Sequence, residues 1–149
     1  FTSTGIYHFR FTTTNGGGII TVSDLSRPLL ASSNSAIGYA TGTGAGGTVT
    51  QGTDKSTGVT LNNRCGQITM NNASLSAATE VSFTLTNSYI ASTDVVYACI
   101  ASGASAGAYN LQVDAVGSGS CRISLGNMSS GSLGEAIVIN FVVIKSAAN

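Results

Sequence analysis

Apolar and polar residues alternate with a period of two along several short stretches of this chain, the signature of half-buried strands. Val81, Phe83 and Leu85 alternate with Ser82, Thr84 and Thr86; Leu111, Val113 and Ala115 with Gln112, Asp114 and Val116; Cys121, Ile123 and Leu125 with Arg122, Ser124 and Gly126. Val81, Phe83, Leu85, Leu111, Val113, Ile123 and Leu125 are expected to share one interior between two sheets. Val95 to Ile100 and Ile137 to Ile144 are apolar on both sides. That pattern suits a central strand covered on both faces, or a strand at a subunit contact. Gly58 to Leu61 and Gln67 to Asn71 bring the total to about seven strands, with turns at Asn62-Asn63, Asn87-Ser88, Ser102-Gly103, Gly117-Ser118-Gly119 and Ser130-Gly131. Helical periodicity is absent, apart from room for one short turn between Asn72 and Thr79. The expected fold is an all-β, antiparallel β-sandwich. A jelly roll is the preferred topology and an immunoglobulin-like order the alternative.

The N-terminal stretch alternates as well. Ile6, His8 and Arg10 fall on one side, and Tyr7, Phe9 and Phe11 on the other. Thr12-Thr13-Thr14-Asn15-Gly16-Gly17-Gly18 and a second apolar run, Ile19 to Val22, complete a hairpin signature. A lone two-stranded hairpin is marginal in water, so its aromatic side needs a partner surface. From Asp24 to Gly47 the periodicity is lost among Gly, Ser, Ala and Asn. The organisation read from these patterns is an N-terminal hairpin arm at 1–23, a linker at 24–47 and a β-sandwich domain at 48–149. Tyr7, Phe9 and Phe11 of the arm and Tyr39 of the linker are the candidate inter-subunit contacts. A structureless stretch as long as the linker argues against a simple connection inside one compact domain.

Composition sharpens this picture. The 149 residues carry no net formal charge, only 8% are charged, and 19 are glycine against one proline. The charged fraction is about a third of the usual ~25%, and Ser, Thr, Asn and Gly fill the difference. A neutral, hydroxyl-rich surface is a poor one for colloidal solubility and a good one for contact with other copies. Six Lys and Arg residues, spread singly, form no footprint for nucleic acid. No apolar run reaches the ~20 residues that span a bilayer, so neither nucleic acid nor membrane is an expected partner. The chain begins at Phe1 without Met, which suggests a processed product or a fragment with an upstream segment.

Reactive chemistry finds little support. Cys65, Cys99 and Cys121 are odd in number and form no ligand-spaced pair, so neither a disulfide framework nor a metal site is expected. Cys99 and Cys121, inside apolar strand patterns, are expected to be buried thiols. Gly42-Thr43-Gly44-Ala45-Gly46-Gly47 matches a dinucleotide fingerprint, but Thr48-Val49-Thr50 behind it are strand formers where that motif needs a helix. His8 is the single histidine, which leaves the serines and cysteines elsewhere without a base. No catalytic residue and no cofactor is assigned. Carbohydrate platforms rely on aromatic rings; the chain has no Trp, and only Tyr39 and Tyr89 lie beside turns or linker.

The segments Gly38-Tyr39-Ala40-Thr41-Gly42, Gly46-Gly47-Thr48-Val49-Thr50-Gln51, Lys55-Ser56-Thr57-Gly58-Val59-Thr60-Leu61-Asn62 and Gly66-Gln67-Ile68-Thr69-Met70-Asn71-Asn72-Ala73 follow one another in order. Val81-Ser82-Phe83-Thr84-Leu85-Thr86-Asn87-Ser88, Ala106-Gly107-Ala108-Tyr109 and Gly131-Ser132-Leu133-Gly134-Glu135-Ala136 continue the series. Residues 38 to 145 thereby resemble a module of tailed-bacteriophage virion proteins, found in capsid decoration proteins and in tail-fibre tips. The resemblance implies a structural β-domain, often a homotrimer, located in the virion and without catalytic residues. Its partners would be other virion proteins, the major capsid protein or tail proteins. The expected function is capsid decoration or cementing of the head shell. A tail-fibre tip that binds a host receptor is the alternative.

Overall fold

A computed structural model of the chain describes residues 46–147. These residues form eight strands and no helix: β1 (Thr48–Thr50), β2 (Val59–Thr60), β3 (Cys65–Thr69), β4 (Glu80–Thr86), β5 (Val95–Ser102), β6 (Tyr109–Gly117), β7 (Ser120–Asn127) and β8 (Val138–Ile144). Each period-two run within the described residues is a strand, and β1 is an addition to the seven anticipated. The possible helical turn between Asn72 and Thr79 is instead an irregular stretch pinned by a bridge from Leu75 to Leu133.

The strands divide equally into two sheets. The first has the order β1-β3-β8-β5 and the second β2-β4-β7-β6. Both are mixed, which corrects the expectation of a purely antiparallel sandwich. At one edge of the first sheet β1 runs parallel to β3, and at one edge of the second β2 runs parallel to β4. The physical reason lies in the connectivity. From β1 to β6 the chain crosses to the opposite sheet after every strand, so β1 and β3 are joined through β2 and can run in the same direction. A parallel pair needs such a crossover, whereas an antiparallel pair needs only a tight turn. The β6–β7 pair is the one consecutive pair within a sheet, closed by Gly117-Ser118-Gly119 with Gly119 at a φ of +83°.

Alternation places one core between the sheets. Phe83 and Leu85 of β4, Cys121, Ile123 and Leu125 of β7, and Ile139, Phe141 and Val143 of β8 are buried in it together with Ile68 of β3 and Val96 of β5. Val81, Leu111 and Val113 are half-buried against the same cluster, so the seven side chains expected to share an interior do share it. Close approach of β1 and β3 depends on Gly66. A Cβ at that position would lie 2.6 Å from the Gly47 carbonyl oxygen and 2.8 Å from Leu61 Cδ2. The Gly47 carbonyl also accepts a hydrogen bond from Gln67 N at 2.8 Å, so the sheet begins within the stretch read as linker.

Candidate interaction face and its supporting cluster

The segments that carry the resemblance meet at a cluster of polar side chains. Gln51, just after β1, donates from Nε2 to the carbonyls of Lys55 and Thr57 at 3.0 and 2.9 Å, and its Oε1 accepts from Asn71 N at 3.0 Å. Lys55 is only 3% exposed. Its Nζ donates to the carbonyl oxygens of Asn71 and Glu135, both at 2.6 Å. Ser105 Oγ donates to Glu135 Oε1 at 2.5 Å. Four connections remote in sequence are thereby fastened to one another.

Groups with shifted pKa values in one place can mark an active site. Burial lowers the Lys55 pKa, with the Glu135 charge opposing the shift. Burial first, and then the Glu135 carboxylate, raise the Tyr109 phenol well above its ordinary value. Hydrogen bonding from Ser105 is the first cause that lowers that of Glu135. Yet the Lys55 ammonium is shut from solvent and committed to two main-chain carbonyls, and the Tyr109 hydroxyl is buried as well. The arrangement positions loops, and its charges serve that purpose.

Two buried asparagines act in the same way at other turns. Asn127 Nδ2 donates to the carbonyls of Leu75, Ser76 and Gly131, while Oδ1 accepts from the backbone and hydroxyl of Ser129. Asn87 Nδ2 donates to the Asn63 carbonyl and Oδ1 accepts from Tyr89 N. Asn87 belongs to the Asn87-Ser88 turn anticipated from sequence, whereas Asn127 is the last residue of β7, ahead of the Ser130-Gly131 turn. Buried amides with satisfied partners fix a single loop conformation. A shallow depression of about 230 Å³ near Asn127, bordered by Ala78, Glu80, Asn110 and Met128, gathers no set of convergent reactive groups. Among the described residues, no three His, Cys, Asp or Glu side chains group as metal ligands.

The outward face of the first sheet is a different kind of surface. Strand alternation and register place Val95, Tyr97 and Cys99 of β5 there beside Ile144, Val142 and Asn140 of β8, with Cys65 and Gln67 of β3 in the next column. Val95 is 54% exposed, Tyr97 61% and Ile144 42%. Tyr97 pairs with Val142 and Val95 with Ile144, so four apolar side chains make one patch two strands wide. The opposite half of the same face, with Thr48, Thr50, Gln67, Thr69 and Asn140, is polar without charge. Around the end of the patch, Lys145 Nζ binds Asp94 Oδ2 at 2.5 Å, and the Arg64 guanidinium lies 5.3 Å from the Tyr89 ring centre.

This geometry revises two expectations. The run Val95 to Ile100 is an edge strand, apolar on both sides because its outer side is bare; β8 is the central strand of the sheet. Cys99 lies exposed on that side, whereas Cys121 is buried in the core as expected, and burial together with the Asp114 charge pushes its thiol up to about 11. The three cysteines form no disulfide. The candidate contacts Tyr7, Phe9, Phe11 and Tyr39 lie outside the described residues. Tyr97, Val95, Val142 and Ile144 lie in the two runs whose apolar character on both sides suits a subunit contact, although none of the four is among the candidate contact residues. Their signal was the apolar side of β5 and β8 that no interior could absorb.

Comparison with known proteins returned no matching family model, no matching curated protein and no matching solved structure.

Proposed function

We propose that this chain is a structural protein of a tailed-phage virion that decorates or cements the head shell, and that the uncharged outer face of its β1-β3-β8-β5 sheet meets a neighbouring protein. The single observation behind the reading is the patch of Val95, Tyr97, Val142 and Ile144, a contact surface on a domain whose polar clusters serve loop positioning. Soluble monomers rarely leave contiguous apolar surface of this kind uncovered. The sequence segments that resemble virion modules supply Gln51, Lys55, Asn71, Tyr109 and Glu135, which hold the loops in place; this accords with a structural role and with no catalytic one. Neighbours would be the major capsid protein or further copies in a homotrimer.

A jelly roll with an N-terminal hairpin arm is the finer form of the fold reading. A parallel pair at one edge of each sheet lends the jelly roll no support, since that topology is built from antiparallel strands. A fibre tip binding a host receptor is the second functional reading, favoured by the exposed Tyr97 and Tyr89 rings.

Antibody labelling of purified virions separates these readings. Label distributed over the head is the outcome for decoration, and label confined to the tail is the outcome for a fibre tip. Virions that carry no label at all would overturn both.

A further inference from the structure

We infer that the depression on the outer face of the β2-β4-β7-β6 sheet, where Glu80, Gly126 and Asn110 stand in one row beside Met128, is a binding site for a single neutral sugar ring. The site lies on the sheet opposite the proposed contact face and is independent of the virion reading. First, strand register builds the seat. Glu80 of β4 and Asn110 of β6 both pair with Gly126 of β7, so their Cα atoms stand two strand spacings, ~10 Å, apart on either side of a residue without a side chain. A glycine inside a strand forgoes packing, and it marks a place where another group approaches the backbone closely. Gly126 has no conformational need to be glycine, because its φ is not positive. Nor does crowding require it: a Cβ there would meet Met128 Sδ at 3.7 Å and Asn110 at 3.9 Å, both ordinary contacts. What glycine provides at this point is the depression itself, about 230 Å³.

Second, the groups around this floor suit a polyol and are free to serve one. Glu80 and Asn110 are exposed, and neither side chain has a hydrogen-bond partner among the described residues. On the rows beyond, Ser82 is paired with Ser124 and Arg122 with Asp114. A carboxylate accepts from two neighbouring hydroxyls, and an amide both donates and accepts, so the two side chains can satisfy hydroxyls on opposite edges of one ring. Met128 is 67% exposed and adds a polarizable thioether against which the C–H face of a ring can rest. No cationic side chain lines the depression, which disfavours an anionic ligand. Its volume falls below the ~300–1,000 Å³ of pockets for drug-sized ligands, which limits the occupant to one ring.

Third, the walls are held in place before a ligand arrives. Asn127, next to the floor, donates to the Ser76 carbonyl on one side and the Gly131 carbonyl on the other, and Thr79 Oγ1 donates to the Ser76 carbonyl as well. Within that turn Ala78 is kept at a φ of +53°, a left-handed conformation that is costly for a residue with a Cβ. Backbone held in such conformations clusters at functional sites and ligand clamps. Walls fixed in advance reduce the ordering that binding has to offset.

NMR titration of the isotope-labelled full-length chain tests this, with methyl glycosides of glucose, galactose, mannose and N-acetylglucosamine as probes and butylammonium as the competing chemistry for Glu80. At least one glycoside should shift the amides of Asn110, Gly126 and Met128 saturably, with a Kd of about 1–10 mM for one small ring on an open site. Glu80→Gln should weaken that binding about ten-fold, because hydrogen bonds to a charged acceptor are roughly twice as strong as neutral ones. Gly126→Val, whose side chain fills the floor, should abolish it, and Gln112→Ala, one row away, should leave it unchanged. Should Gly126→Val melt early, Asn110→Ala on the exposed edge strand takes its place, with a loss of about ten-fold expected. No saturable shift at these amides with any glycoside up to about 50 mM would overturn the inference. So would binding undiminished by Glu80→Gln and by the floor or edge variant, or saturation by butylammonium with no response to the glycosides. As the titration uses isolated protein, its failure says nothing of virion location, and a failure of virion labelling says nothing of the sugar site.

Discussion

The two outer faces of this domain rest on the same core and answer water in opposite ways. On the β2-β4-β7-β6 sheet, Glu80, Ser82, Thr84 and Thr86 face outward beside Arg122, Ser124, Asn110, Gln112 and Asp114. Neighbouring strands are linked across that face: Ser82 and Ser124 hydroxyls lie 2.9 Å apart, and Arg122 grips both carboxylate oxygens of Asp114 at 2.7 and 2.9 Å. The β1-β3-β8-β5 sheet has no charge on its outer face, and one half of it is apolar. A strand at a sheet edge is ordinarily blunted by charge, proline or a covering element. β6, the edge of the charged sheet, carries Asp114, whereas β5 carries no charged residue and no proline along its length. One sheet therefore presents a charged, hydrogen-bonded face to water, and the other presents the uncharged face on which the proposed contact rests.

If the faces differ only in what lies outside them, equivalent damage beneath each should cost the same. Phe83 under the charged face and Phe141 under the apolar face are each 3% exposed. Phe83→Ala and Phe141→Ala should each destabilise by about 3–5 kcal/mol, measured by urea unfolding. A much smaller loss for Phe141→Ala would mean that the apolar sheet is held from outside rather than by the shared core.

The next effect belongs to one face alone. Tyr97→Asp should leave the melting temperature close to that of the parent chain and weaken association, with itself or with virions, by about thirty-fold, or ~2 kcal/mol for a central aromatic contact. Gln112→Asp on the other face should leave association unaltered. Sedimentation over a concentration series would report both, and equal weakening by the two substitutions would abolish the distinction between the faces.

Strand alternation explains why the core was legible in the sequence and the faces were less so. Phe83 and Ile123 declare their burial through polar neighbours on each side, because a half-buried strand has to change character at every residue. Val96 and Tyr97 give no such contrast. One is buried and the other open, and only the sheet order, with β5 at an edge, distinguishes them. That order depends on which strands cross between sheets, which period two does not encode; the parallel β1–β3 and β2–β4 pairs were missed for the same reason. Lys55 and Asn127 were illegible for another reason. One is a polar residue in a polar loop and the other the last residue of β7, and the burial of each results from carbonyls contributed by segments distant along the chain. Gln51 and Asn71 could have been noticed together only through the ordered segments of the resemblance.

A pH effect should follow from the rim of the apolar patch. Burial would raise the Asp94 pKa, but hydrogen bonds from Lys145 and from the Ala91 and Ser146 amides prevail and hold it below its ordinary value. A carboxylate with a lowered folded pKa contributes stability that is fully present above the unfolded value of ~3.9 and is lost as pH falls through the folded one. The melting temperature of the parent chain should therefore fall more steeply below about pH 4 than that of Asp94→Asn. Parallel pH profiles for the two proteins would remove Asp94 from the account of acid stability.

The smallest effect is expected where the contacts look strongest. Arg122 and Asp114 make a two-pronged ion pair on the charged face, and Asp114 is held below, and Arg122 above, its ordinary pKa chiefly by that hydrogen bond. Their side chains are nevertheless 53% and 47% exposed. Water and salt screen a pair in that position, and holding two long side chains still offsets much of the attraction. Arg122→Gln should accordingly leave the melting temperature within experimental scatter at physiological salt, and the association of the apolar face should be unchanged. Its measurable consequence would be solubility, because the substitution removes a charge from the one face that carries them. A clear loss of stability in salt would show that the charged sheet depends on its surface pairs. In that case the water-facing sheet, too, would be held partly from outside its core.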